Sequence, residues 1–251
     1  MILFFYISRG EDMKTYLNEI TGIADAIVSM YMSKWKWNRE MEIEIRSLCR
    51  RVLDADGRIN DNASLADISE YSSLLNKVVK WGCKHITLLR FIDISITVEG
   101  LHRAGQDDWD SHAARFNNRI VRSSTSVPLD HSTSEWYQSK IIPTDIALAH
   151  IGFERPAEIT YDGKVYVKST NGYILEEMKD DPDVRRGLYM LSIPSNFIFK
   201  INLTEYAHVF KERNTAGNAN PEVKLCCESI TDQIESFQPL FNRELLDKIK
   251  N

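Results

Sequence analysis

The sequence predicts an α+β fold, and three stretches carry that expectation. Ile86, Leu88, Ile92, Ile94, Ile96 and Val98 fall on alternate positions. Polar residues such as Thr87, Asp93, Ser95 and Thr97 lie between them, the pattern of a long strand with one buried face. Val223, Cys227, Ile230, Ile234 and Phe237 instead recur at helical spacing. Glu158 to Val167 reads as a hairpin closed by Asp162-Gly163, a dipeptide suited to the left-handed backbone of a two-residue turn.

The chain has 251 residues, enough for a sizeable core, with 43% hydrophobic and 27% charged residues. A net charge of −5 offers no bulk basic footprint for nucleic acid, although a local anion pocket is compatible with it. Cys49, Cys83, Cys226 and Cys227 lack metal-ligand spacing and are expected to be reduced, buried thiols. Met1 to Ile7 is apolar but too short for a membrane span and has no preceding basic region. It reads as an N-terminal strand, and the expectation is a cytoplasmic protein with no membrane partner.

Along the chain, Leu17, Ile20, Ile23, Ala24, Ile27 and Tyr31 predict an amphipathic helix. Trp35 and Trp37 follow among lysines, where packing under a helix end is favoured over stacking on a flat ligand. Met41 to Leu53 is a second helix, ended by the turn residues Asp54 to Gly57. That turn looks like half a calcium loop, but the downstream positions do not follow the pattern. Leu65, Ile68, Leu75, Val78 and Val79 give a third helix, and Arg103 to Phe116 a polar one. Ile174 to Met178 reads as a short helical remnant. Val184, Leu188 and Leu191 predict a helix that Pro194 ends, and Phe197 to Asn202 is a short aromatic strand or connector. Asn202-Leu203-Thr204-Glu205 fits an N-cap with an acid three residues on, opening a helix that delivers Arg213 near its end. Asn220, Pro221 and Glu222 mark the next helix start.

The stretch from Arg185 to Val223 resembles the flavin-dependent thymidylate synthases. The matching pieces are Arg185-Arg186-Gly187-Leu188, Phe197 to Asn202, Glu212-Arg213 and Ala219 to Val223, with one residue inserted before Ala219. Laying the predicted strand on the family pattern without gaps places its first histidine at His85, its threonine at Thr87, and later positions at Asn117 and Arg122. The family's Arg-His-Arg falls on Asp110-Ser111-His112, and its glutamine on Asn220. The resemblance covers roughly residues 45–122 and 184–240, with boundaries good to a few residues. It implies a single domain, residues 1–251, with a central antiparallel sheet, flanking helices and an atypical insertion at about 123–183.

It also implies FAD as cofactor, NADPH and methylenetetrahydrofolate as co-substrates, and a pyrimidine nucleotide such as dUMP as the methyl acceptor. His85, Thr87, Asn117 and Asn202 would contact FAD; Arg122 and Arg186 would hold the nucleotide phosphate. Arg213 would bind the uracil edge and act as the catalytic residue. The family's habit implies a homotetramer. No metal is assigned, because Asp108, Asp110 and His112 alternate on a predicted helix and point apart. The replaced Arg-His-Arg leaves two readings open: a changed substrate, or an inactive homologue serving as a nucleotide-binding or assembly module.

Overall fold

The computed structural model describes residues 13–112, 118–121, 148–169, 172–180, 193–215 and 220–249. Asn117, Arg122 and Arg186, with the predicted N-terminal strand and the helix around Val184, lie outside them. The chain forms two compact units, one of Thr15–Val98, Asp107–Ile120 and Phe197–Asn251, the other of Met1–Lys14, Glu99–Gln106 and Val121–Asn196. Among the described residues, no helix is long and apolar enough to cross a membrane.

In the larger unit, β1 (Lys14–Thr21) leads into α1 (Ile23–Ser33), α2 (Arg39–Val52) and α3 (Leu65–Gly82). The helix expected from Leu17 therefore starts only at Ile23. Leu17 and Ile20 have helix-like spacing but are buried on a strand, and Gly22 breaks the chain between the two elements with φ 81. A Cβ at Gly22 would sit 1.7 Å from the Phe91 carbonyl oxygen, so only glycine fits. Asn38 and Ser64 cap α2 and α3, each accepting a backbone N–H from the helix it opens.

A 3-10 turn at Ile86–Phe91 precedes β2 (Asp93–His102). The expected strand is thus shorter at its start. Leu88 and Leu89 are buried side by side there, which alternation does not allow. From Ile94 to Val98 the predicted alternation holds, every second residue being buried. After α4 (Arg103–His112) and β3 (Asn118–Val121), the chain returns as β7 (Pro194–Asn202). β1, β2, β7 and β3 form a sheet in that order. Phe197, Phe199 and Ile201 of β7 are buried, with Phe199 5.5 Å from the Trp109 ring.

Three further helices close this unit: α5 (Leu203–Phe210), α6 (Pro221–Phe237) and α7 (Arg243–Lys248). Val223, Cys227, Ile230, Ile234 and Phe237 all face inward from α6, as their spacing predicts. Two polar links lock the helices. Tyr71 Oη donates to Gln238 Oε1 at 2.8 Å, and Gln238 Nε2 donates to the Gly57 carbonyl at 2.6 Å. The Tyr206 hydroxyl lies 2.8 Å from the Thr231 hydroxyl and donates to the Cys227 carbonyl at 3.1 Å. Trp35 departs from expectation. It is 99% exposed rather than packed, while Trp37 donates to Glu42 at 3.2 Å.

In the smaller unit, β4 (Glu158–Tyr161), β5 (Lys164–Ser169) and β6 (Gly172–Leu175) make an antiparallel sheet. The predicted hairpin turns on Asp162 and Gly163, with φ 51 and 72. The expected helical remnant is instead strand β6 followed by a 3-10 turn at Glu176–Met178. Tyr173 and Ile174 pair with Lys168 and Val167, so sheet hydrogen bonding overrides a weak helical pattern. The Arg155 guanidinium donates to the Ser169 and Gly172 carbonyls at 3.1 and 3.3 Å, fixing the β5–β6 connection.

The thiols follow their burial. Burial pushes Cys49 up to about 11 and Cys227 up to about 12, and raises Cys226 well above the ordinary range. Cys83 is only half-buried. At about pH 8, where only thiolate reacts, a thiol-specific dye should label native Cys83 well before the other three. Mass spectrometry of the labelled peptides reads the order. Tyr71→Phe leaves Gln238 Oε1 without its buried donor, so urea unfolding should show a loss of about 1–3 kcal/mol.

Candidate functional site

The larger unit positions four of the seven residues that the sequence singles out. His85 and Thr87 stand at the 3-10 turn, both exposed. The His85 N–H bonds the Trp81 carbonyl at 2.8 Å, and its ring lies 5.5 Å from the Trp81 ring at 52°. Lys34 Nζ sits 3.5 Å from the Trp81 ring centre. His85 therefore belongs to a small cation–aromatic cluster. Thr87, two residues on, is exposed as well.

The 3-10 turn packs against α1, α3 and α5. Just beyond it, the Leu203 N–H donates to the Ile92 carbonyl at 2.8 Å. That bond ties the first residue of α5 to the start of β2, so Asn202 has a fixed place beside this segment. Asn202 caps α5 as its sequence predicts: its Oδ1 accepts the Thr204 and Glu205 N–H groups, both at 3.1 Å, and the Thr204 hydroxyl at 2.6 Å. With Oδ1 so occupied, the amide Nδ2 is the end available to donate to a ligand.

Arg213 was expected near the end of α5. It lies in a π-helical turn, Lys211–Thr215, that continues α5, and it is only 5% exposed. π turns widen a helix by one residue and are frequent at functional sites. This turn packs against α6, whose first turn carries Glu222, 1% exposed. Asn220 Oδ1 accepts the Glu222 N–H at 3.0 Å and sets the start of that helix. A guanidinium and a carboxylate are thus buried on two elements in contact, where a lone charge would be costly. From the sequence, Glu222 marks only the first turn of a helix and is assigned no ligand. Its place in the stretch Ala219 to Val223, which resembles the flavin-dependent thymidylate synthases, was the available signal, but its burial was not visible there. Asp107 is exposed on α4 in the same unit.

No family model matches the chain, and no curated protein matches it in sequence. Solved structures do. The chain is similar to a crystal structure of thymidylate synthase X from Helicobacter pylori with FAD and dUMP: 14% identity, 94% of this chain, 99% of that one, TM-score 0.51. It is also similar to a crystal structure of the flavin-dependent thymidylate synthase from Helicobacter pylori complexed with FAD and dUMP: 11% identity, 90% of this chain, 99% of that one, TM-score 0.50. The chain shares their fold. At this identity the likeness is one of mixed helix and strand architecture.

Asn202 can be tested as a cap apart from any ligand. Asn202→Ala should cost about 1 kcal/mol of stability in urea unfolding, whereas Asn202→Asp, an equally good cap, should stay close to wild type.

Proposed function

We propose that this chain is a flavin-dependent thymidylate synthase-like protein. It binds FAD and a uracil nucleotide such as dUMP, and transfers a one-carbon unit from methylenetetrahydrofolate to C5 of the base. The observation that carries this reading is the near full-length fold likeness to two crystal structures of a flavin-dependent thymidylate synthase bound to FAD and dUMP. The residues available suit such ligands: a solvent-facing imidazole at His85, a hydroxyl at Thr87 and the unclaimed amide end of Asn202. These three, with Asn117, would hold the cofactor. Bound FAD would supply reducing equivalents that originate with NADPH.

The chain's own task is orientation. Arg122 and Arg186 hold the nucleotide phosphate through planar, bidentate guanidinium contacts. Arg213 binds the uracil edge and offsets negative charge developing on the ring. Its burial in the π turn makes that interaction stronger than it would be in water.

A second reading, a nucleotide-binding or assembly module without flavin chemistry, is favoured by two observations. The Asn202 oxygen is taken up by the α5 cap. Asp110-Ser111-His112 stands where the family has Arg-His-Arg, so an acid replaces a cation beside the anionic ligands.

Visible absorption of the purified protein with added FAD separates the two. A protein-bound flavin spectrum, weakened in Asn202→Asp although that variant keeps its stability, supports the flavoenzyme. The same preparation should then methylate dUMP, with Arg213→Gln inactive. No flavin uptake at all, with dUMP still bound in calorimetry, transfers the proposal to the binding module.

A further inference from the structure

The end of α1, the turn after it and the end of α3 form a face that borders His85 and is otherwise unused by the flavin reading. Residues 26–38 and 71–92 carry six lysines and arginines and no aspartate or glutamate, in a chain whose net charge is −5. Among the described residues, none of the six is in an ion pair. The fold brings the two segments together, with Lys34 Nζ 3.5 Å from the centre of the Trp81 ring. Lys77 precedes Trp81 by one helical turn and shares its side of α3. Lys84 is tied to the end of that helix, its N–H bonding the Trp81 carbonyl at 2.9 Å. Lys36, Lys77, Lys80 and Lys84 are all exposed. The stretch from Lys77 to Lys84 runs roughly 10 Å, at about 1.5 Å per residue.

One ring stands out from this face. Trp35, between Lys34 and Lys36, is 99% exposed, and its left-handed backbone, with φ 55, is one that residues other than glycine adopt at a cost. Its N–H bonds the Met32 carbonyl at 3.2 Å, and the Lys36 N–H bonds that of Tyr31 at 3.1 Å. A tight turn therefore holds the indole away from the core. Trp37, which donates to Glu42, marks the edge where the acids of α2 begin.

Clustered cations without counter-charges attract a chain of phosphates, and an indole held in water gains by stacking on another flat ring. We propose that this face binds single-stranded nucleic acid, with phosphates on the lysines of α3 and on Lys36, and a base stacked on Trp35. The inference does not rest on the flavin reading. A duplex keeps its base faces stacked inside, and a bilayer needs a broader apolar surface than one ring with lysines on both sides. Neither kind of contact reads base identity or the sugar, so DNA and RNA strands both fit. Because the chain as a whole is acidic, the attraction is local to this face and sensitive to salt.

Fluorescence anisotropy on the full chain, with labelled oligo-dT and oligo-U of about 15 nucleotides, tests it. Both should bind at low salt, with a slope of log affinity against log salt of about −3, the value for four neutralised phosphates on a single strand. Trp35→Ala should weaken binding about tenfold, and Trp35→Tyr, which keeps a ring, much less. Lys36→Glu combined with Lys77→Glu should weaken binding and flatten the salt slope. Saturating FAD and dUMP should leave the oligonucleotide bound, which separates this face from the nucleotide site. Failure of both oligonucleotides to bind overturns the proposal. So does binding that the tryptophan and lysine variants leave unchanged, or that FAD and dUMP displace. Binding to phosphatidylserine vesicles in place of either oligonucleotide would give the face to a membrane and overturn it equally.

Discussion

Two helix starts and one strand start in the larger unit depend on one short piece of backbone, the Phe91–Ile92 step. The Phe91 carbonyl fills the space beside Gly22 where a side chain would stand, which fixes how α1 leaves β1. The next carbonyl, that of Ile92, accepts the Leu203 N–H and fixes where α5 begins. The same step turns the 3-10 segment into β2. Because an unmet backbone group in the interior is expensive, these contacts leave little freedom to slide one element against another. His85, Thr87 and Asn202, the residues that a ligand would meet, are attached to this junction within a few residues.

Around it, buried polar links do what apolar packing cannot, which is to select one alignment among many of similar area. Tyr71, Gln238 and the Gly57 carbonyl join α3, the end of α6 and the turn after α2. Gly57 is itself pinned. It has φ 82, and a Cβ there would lie 2.0 Å from the Ile20 carbonyl oxygen. Tyr206 and Thr231 join α5 to α6 in the same way. In a low-dielectric interior each of these groups has only its partner to bond, so the helices settle where both are satisfied.

What the sequence made legible is mainly what local chemistry decides. Asn202 and Asn220 cap helices because of their own side chains and the two or three residues after them, and Asp162-Gly163 turns a hairpin for equally local reasons. The mixed architecture followed from the same signals. Where tertiary context decides, the pattern misled. Alternation ran back through Ile86 and Leu88, yet helices packed on both leucines of the 3-10 turn. Leu17 and Ile20 looked helical until Gly22 separated them from α1. Trp35 resembled a core residue by type alone, and only its backbone angle placed it in solvent. Arg213 and Glu222 had readable positions, but their burial depends on two helices meeting and has no local signature.

The π turn at Lys211–Thr215 bears on the history of the chain as well as on its shape. Such a turn is what an α-helix becomes when it takes in one extra residue. Alignment with the family pattern requires one added residue between Arg213 and Ala219, next to this turn. A widened turn absorbs a length change locally. In a regular helix, each added residue would rotate everything after it by about 100°. The segment can therefore be regarded as an expansion joint: it lets the connection to α6 change length by insertion or deletion while the capped start of α5 and the β strand before it keep their register.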